Sequence, residues 1–142
     1  MKKIFFACSM RGGHKKTSTE ELRQIVDVME SSGFELVSKH QVDKKTIENE
    51  RSLSLREIYE GDIGWLKEAD FVVAEISNPS LGVGAEVAEA VHLGKPVLCI
   101  YKKGIGRSVS AFLRGKPGVQ CAEYGSLGEF RAILFDFAEK KK

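Results

Sequence analysis

The sequence predicts an α/β domain in which five parallel strands are covered by helices on both faces. Apolar runs of strand length alternate along the chain with longer segments of helical periodicity. The runs 3–8, 71–76 and 97–101 are apolar at nearly every position, as strands buried on both faces are, rather than at every second one. At 142 residues the chain is expected to be a single domain, residues 1–142, long enough for a substantial core.

Residues 3–8 read as the first strand, followed by a loop from Ser9 to His14. Ser18 can cap a helix over 19–31, with Glu21 three residues on completing a capping box. Leu22, Ile25, Val26 and Met29 share one face of that helix, and Gly33 ends it. Residues 34–38 form a short second strand. From 40 to about 52 the chain is polar and charged; this is either a solvated connector or a loop that closes over the sheet edge as a lid. A second helix spans 54–69, with Leu55, Ile58, Leu66 and Ala69 as its apolar stripe. The third strand is 71–76, and the helix formers 87–93 follow a glycine-containing turn. After Gly94-Lys95-Pro96 come a fourth strand over 97–101, a loop over 102–107 and a short helix over 108–114. A short strand at 119–121 and a last helix over 127–137, buried through Phe130, Ile133, Leu134 and Phe137, complete the pattern. Right-handed crossovers then give a flavodoxin-like (Rossmann-like), doubly wound, five-stranded parallel sheet. The loops after strands one and three meet at its switch point.

Composition narrows the function. Apolar residues make up 42% and charged residues 30%, a globular balance. A net charge of +2, with no basic stripe interleaved with aromatics, gives no reason to expect a nucleic-acid partner. Three cysteines, an odd number, argue against a disulfide framework and fit a reducing cytoplasm. The N-terminal apolar stretch is too short for a signal peptide and no run approaches a membrane span, so a cytoplasmic protein without a membrane partner is expected. Scattered histidines and cysteines form no zinc spacing, and neither a P-loop nor a dinucleotide fingerprint is present.

The chemistry concentrates in Asn78-Pro79-Ser80-Leu81-Gly82-Val83-Gly84-Ala85-Glu86. Gly82 and Gly84 are expected to let backbone approach a ligand, and the unpaired N–H groups of the following helix suit an anion. Ser80 adds a hydroxyl. Glu86 is expected in the first helical turn, either as a pocket carboxylate or as a residue that only complements the helix dipole. Asp62 lies four residues from both Ile58 and Leu66 on the inward stripe of its helix. An acid there is costly unless it is bonded or faces a cavity, so it is either a structural acid or a second pocket carboxylate. Arg11, with Gly12 and Gly13, offers a charged fork and open backbone to a phosphate, or is a surface residue on a turn. His40, at a strand end, is placed to line the same rim.

Five separated motifs carry a resemblance: Ser9-Met10-Arg11-Gly12-Gly13, Asp62-Ile63-Gly64-Trp65-Leu66, the run from Ala69 to Glu75, the run from Pro79 to Glu86, and Gly106-Arg107-Ser108-Val109-Ser110-Ala111. Together they resemble the nucleoside 2-deoxyribosyltransferase superfamily, and within it the 2'-deoxynucleoside 5'-monophosphate N-glycosidases. The resemblance covers nearly the whole chain. It implies a flavodoxin-like fold, a homodimer, no metal and no cofactor, and a nucleoside 5'-monophosphate as substrate. By matched position it implies Glu86 as nucleophile and Asp62 as partner carboxylate. It implies Ser80 and Ser110 on the 5'-phosphate, with Ser110 from the other subunit, and Arg11 and the backbone of Gly82 and Gly84 against the nucleotide. Ser9, Gly12, His40 and Phe5 join the expected substrate-binding set. A retaining glycosidic reaction needs two carboxyl groups about 5–5.5 Å apart, one to attack and one to handle protons.

Phe5 departs from the pattern, because the family usually has Tyr there with its hydroxyl near the nucleophile and the sugar. Its ring is expected to border Glu86, and ribonucleotides are expected to be tolerated at least as well as deoxynucleotides. Three other readings share the fold: base exchange by a true deoxyribosyltransferase, a phosphoribohydrolase of the cytokinin-activating type, and a non-catalytic nucleotide sensor. Gly82-Val83-Gly84-Ala85-Glu86 matches the phosphoribohydrolase pattern Pro-Gly-Gly-x-Gly-Thr-x-x-Glu poorly. Two carboxylates facing one pocket repel a phosphate unless they react, which speaks against the sensor.

Overall fold

The computed structural model describes residues 1–9, 16–37 and 52–140. Arg11, Gly12 and His40 lie outside the described residues, as does the polar stretch 41–53 apart from its last two positions. The strands β1 (Lys3–Ala7), β2 (Glu35–Leu36), β3 (Phe71–Glu75), β4 (Val97–Lys102) and β5 (Val119–Tyr124) form one sheet in the order β2-β1-β3-β4-β5. Every pairing is parallel. This is the flavodoxin-like order, in which the connection reverses direction between β1 and β3 and opens a crevice at their carboxyl ends.

The helices are α1 (Thr19–Ser31), α2 (Leu55–Glu68), α3 (Leu81–His92), the single turn α4 (Ala111–Arg114) and α5 (Leu127–Lys140). Alternation along each strand sorts side chains between two cores. Ile4, Phe6, Phe71, Val73, Leu98 and Ile100 pack with α1 and α5, through Leu22, Ile25, Met29, Phe130, Leu134 and Phe137. Phe5, Ala7, Val72, Ala74, Val97 and Cys99 pack on the opposite face with α2 and α3, through Leu66, Val83, Val87 and Ala90. Both faces of the central strands are therefore dry, which is why their sequences read as unbroken apolar runs.

Local signals set the helix ends. Ser18 and Glu21 close a capping box on α1, and Ser54 and Glu57 close one on α2. At the other end of α1, Gly33 takes φ 94°, while Gly33 N–H donates to Glu30 O and Phe34 N–H to Met29 O. That pair of bonds satisfies the last carbonyls and requires a left-handed residue. Gly94 (φ 77°) repeats the arrangement after α3.

Several expectations are corrected. Helix α3 begins at Leu81, not near 87, so Gly82 and Gly84 lie inside its first turn, not in a loop, and neither takes a positive φ. Glu86 is consequently the sixth residue of α3, in the second turn rather than the first. Leu55, placed on the buried stripe of α2, is 87% exposed because the helix docks only through its C-terminal half, at Leu66 and then Ala69. Strand β2 is limited to two residues at the sheet edge, and β5 runs three residues beyond the expected end at 121.

Candidate active site

The site is built where β1 and β3 leave the sheet. Glu75, the last residue of β3, turns its carboxylate back on the chain that follows. Ser77 N–H donates to Glu75 Oε1 at 2.7 Å and Ser77 Oγ donates to Oε2 at 3.0 Å. Tyr124 OH, from β5, also donates to Oε2. Asn78 comes next and is 4% exposed. Its Oδ1 accepts from Lys16 N–H at 2.9 Å and Thr17 N–H at 3.3 Å, and its Nδ2 donates to Thr17 O at 2.8 Å. Ser80 then caps α3, its Oγ accepting from Val83 N–H at 3.2 Å. Glu75, Asn78 and Ser80 thus fix, in turn, the strand exit, the neighbouring β1 connection and the helix start.

Asp62 and Glu86 come from α2 and α3, which cover the same face of the sheet and both pack on β1. Both residues are half-buried. Each follows from the packing beside it: Asp62 is one turn before the anchor Leu66, and Glu86 directly precedes the anchor Val87. Two carboxyl groups, Glu86 and Glu75, act on the end of β1. The Cys8 thiol is pushed up to about 12, first by burial and then by the carboxylates of Glu86 and Glu75. Ser9, immediately after, is 2% exposed. Phe5 is fully enclosed in the cluster that contains Leu66, Val83 and Val87, so it underlies the site and presents no surface of its own.

On the other flank of α3 lies a cavity of about 610 Å³. Ser77, Asn78, Ser80, Ser108, Ser110 and Lys116 supply its polar lining, Leu81, Ala85, Phe112 and Leu113 much of its apolar wall, and none of its described lining residues is acidic. Ser110 caps α4, its Oγ accepting from Leu113 N–H at 3.3 Å. The structure therefore brings Ser80 and Ser110 of one chain to one cavity, with Gly84 in its wall, while Glu86 is not among its described lining residues. As caps, the two serines use an oxygen lone pair and keep the hydroxyl hydrogen to donate to an anion. An acid-free chamber with donor groups thus lies against α3, the helix that also carries Glu86.

Sequence reasoning passed over Asn78, Lys16 and Ser108. Asn78 sat inside the singled-out stretch, and an amide directly after a buried strand is a signal for a side chain that must find partners inside. Lys16 and Ser108 carried no such signal.

The family model described as nucleoside 2-deoxyribosyltransferase matches residues 4–114. A 5-hydroxymethyl-dUMP N-hydrolase of Mus musculus is 38% identical over 140 residues, covering 97% of this chain and 73% of that protein. A protein of Syntrophotalea carbinolica, provisionally named 2'-deoxynucleoside 5'-phosphate N-hydrolase 1, is 36% identical over 134 residues, 94% of this chain and 92% of its own length. Among solved structures, a CMP N-glycosidase of Clostridium botulinum superposes with a TM-score of 0.67 at 20% identity, covering 96% of this chain and 99% of that one. At that identity the likeness speaks for the fold.

Proposed function

Since this chain belongs to the nucleoside 2-deoxyribosyltransferase family, we propose that it hydrolyses the N-glycosidic bond of a nucleoside 5'-monophosphate, releasing free base and (deoxy)ribose 5-phosphate. The observation that carries this reading is the division of labour around α3. Asp62 and Glu86 come from the two helices that pack on β1, and an acid-free, serine-lined cavity lies against the second of them. A phosphate, repelled by carboxylates, finds donors in that cavity.

In this reading the 5'-phosphate is held by Ser80, Ser110 and the N–H groups at the start of α3, and remote binding energy presses C1' toward Glu86. Glu86 Oε attacks C1' through an oxocarbenium-like transition state. The C1'–N bond breaks, and its electron pair leaves with the base, protonated by Asp62. Water, deprotonated by Asp62, then displaces Glu86 from C1' and returns both carboxyl groups to their starting states. The expected site needs no metal or cofactor. Arg11, Gly12, Ser9 and His40 are assigned to the nucleotide around this centre.

The proposal extends to a homodimer in the cytoplasm. Ser110 is exposed beside Phe112, which is 80% exposed, and Leu81, which is 97% exposed. A second copy covering these apolar groups would seat its own Ser110 near this cavity. Three free thiols agree with a reducing compartment.

The test is a panel of matched ribo- and deoxynucleoside 5'-monophosphates and free nucleosides, scored for base release. Base release from monophosphates well above that from nucleosides is expected, with Glu86→Gln lower by about three orders of magnitude or more while nucleotide still binds. Near-normal turnover by Glu86→Gln rejects the nucleophile. The ribo and deoxy pairs, compared in the wild type and in Phe5→Tyr, test whether a hydroxyl on this enclosed ring alters sugar preference; ribonucleotides are expected to be tolerated at least as well as deoxynucleotides. The family model is named for base transfer, so a second free base belongs in the assay; its incorporation in place of hydrolysis would assign exchange instead.

A further inference from the structure

The donor-lined cavity offers serine hydroxyls and one cation among its described lining residues, Lys116, whereas a phosphate monoester at neutral pH carries close to two negative charges. One lysine balances only part of that charge. A second cation is held at this wall by bonds that span the chain. Lys16 Nζ donates to Ser108 Oγ, a lining group, and Ser108 Oγ in turn donates to Ile105 O at 2.8 Å. The Lys16 backbone is fastened independently, because its N–H and that of Thr17 both donate to Asn78 Oδ1, and Asn78 also lines the cavity. Lys16 is thus tied at both ends, by main chain to the turn after β3 and by side chain to the connection after β4. No described carboxylate forms an ion pair with it, although other exposed lysines do, as Lys3 does with Glu68 and Lys140 with Asp136.

We propose that Lys16, held in place by Asn78 and Ser108, is a cation that receives the 5'-phosphate of the substrate beside Lys116 of the cavity lining. The proposal rests on the nucleotide reading above and adds to it a residue that discriminates a phosphorylated from an unphosphorylated substrate. The ammonium has three donors, and the bond to Ser108 uses one, leaving two for phosphate oxygens. Asn78 acts through Lys16 as a positioning residue. It fixes where the main chain enters the site, so less side-chain freedom remains to be lost when phosphate binds. Lysine suits this task as a compact point charge that needs no planar partner.

The test uses inorganic phosphate as a probe beside steady-state kinetics, with Lys16→Gln, Lys16→Arg and Asn78→Ala. Lys16 is half-exposed, so both of its variants should fold, which matching thermal unfolding would confirm. Lys16→Gln is expected to weaken calorimetric binding of inorganic phosphate and to raise KM for the monophosphate by about tenfold or more, the worth of one charge-assisted bond. Any fall in kcat should be smaller than the rise in KM, since most of the phosphate contact is already made in the ground state. Lys16→Arg should recover most of the loss. Asn78→Ala should raise KM in the same sense without removing the charge. Unchanged phosphate affinity and unchanged KM in Lys16→Gln would overturn the proposal. The two readings fail separately. Lys16-dependent phosphate binding without base release from any monophosphate would sink the reaction and keep the cation. Normal base release with Lys16-independent phosphate affinity would do the reverse.

Discussion

Glu75 is 2% exposed at the end of β3, and burial raises its carboxyl above the ordinary value of 4.5. Bonds from Tyr124 and Ser77 and the charge of Lys102 oppose that rise without cancelling it. The folded protein therefore keeps a proton on Glu75 through a pH range in which the unfolded chain has lost it. The folded state binds more protons there, so this residue subtracts stability as pH rises from about 4.5 through the raised value. Glu75→Gln removes the titration and keeps an acceptor for Ser77 N–H. Its melting temperature should gain on the wild type as pH rises from about 4.5 through the raised value, as followed by calorimetry. A constant difference across that range would show that Glu75 ionises as readily folded as unfolded. The same residue shows how far sequence reading reached. That the strand 71–75 is buried was legible in its composition. That its last residue would be a carboxylate bonded to Tyr124, 49 positions away, was not, because no local periodicity encodes such a partner.

At the level of elements, a cap does two kinds of work, and two serines separate them. Ser126 Oγ accepts from Glu129 N–H at 3.1 Å at the start of α5, and it is not among the groups that line the donor cavity. Ser126→Ala should cost about 0.5–2 kcal/mol of stability and leave KM unchanged. Ser80 caps α3 by the same kind of bond and also lines the cavity. Ser80→Ala should show a comparable loss of stability together with a raised KM for the monophosphate. Chemical denaturation and initial rates on the same preparations check both. Equal KM values for the two variants would confine Ser80 to capping. The capping box at Ser18 was readable because its partner lies only three residues on. The true start of α3 was hidden because Gly82 and Gly84 are poor helix formers by propensity. Burial of Val83 against the sheet, reinforced by the Ser80 cap, outweighs that preference.

At the level of the whole molecule, the exposed Leu81 and Phe112 beside Ser110 bear on assembly. If Ser110 reaches the site of a second copy, Glu86→Ala and Ser110→Ala proteins should complement one another. In a one-to-one mixture of dissociated and reassembled subunits, half of the dimers are hybrid and each hybrid holds one intact site. Activity should therefore recover to about a quarter of the wild-type rate. Verified hybrids without recovery would place Ser110 in the site of its own chain, where the cavity already brings it near Ser80.

The sequence by itself determined the order of strands and helices, the two dry faces of the sheet and the flavodoxin-like topology. Each of these rests on periods of two or 3.6 residues, on caps within four residues, and on the handedness of crossovers, all of which are local or general. It also singled out Asp62, Ser80 and Glu86 by their places in the predicted elements, and Ser110 through the resemblance to the family. The tertiary structure decided that Ser80 and Ser110 share a cavity, that Leu55 is solvated, and that Phe5 is enclosed beneath the site. It alone joined Asn78 to Lys16 and Thr17, 62 and 61 residues away, and Lys16 to Ser108 across 92. The reason is physical: a hydrogen bond between distant residues has no signature in either local sequence, and forms only once the packed sheet has brought the strand ends together.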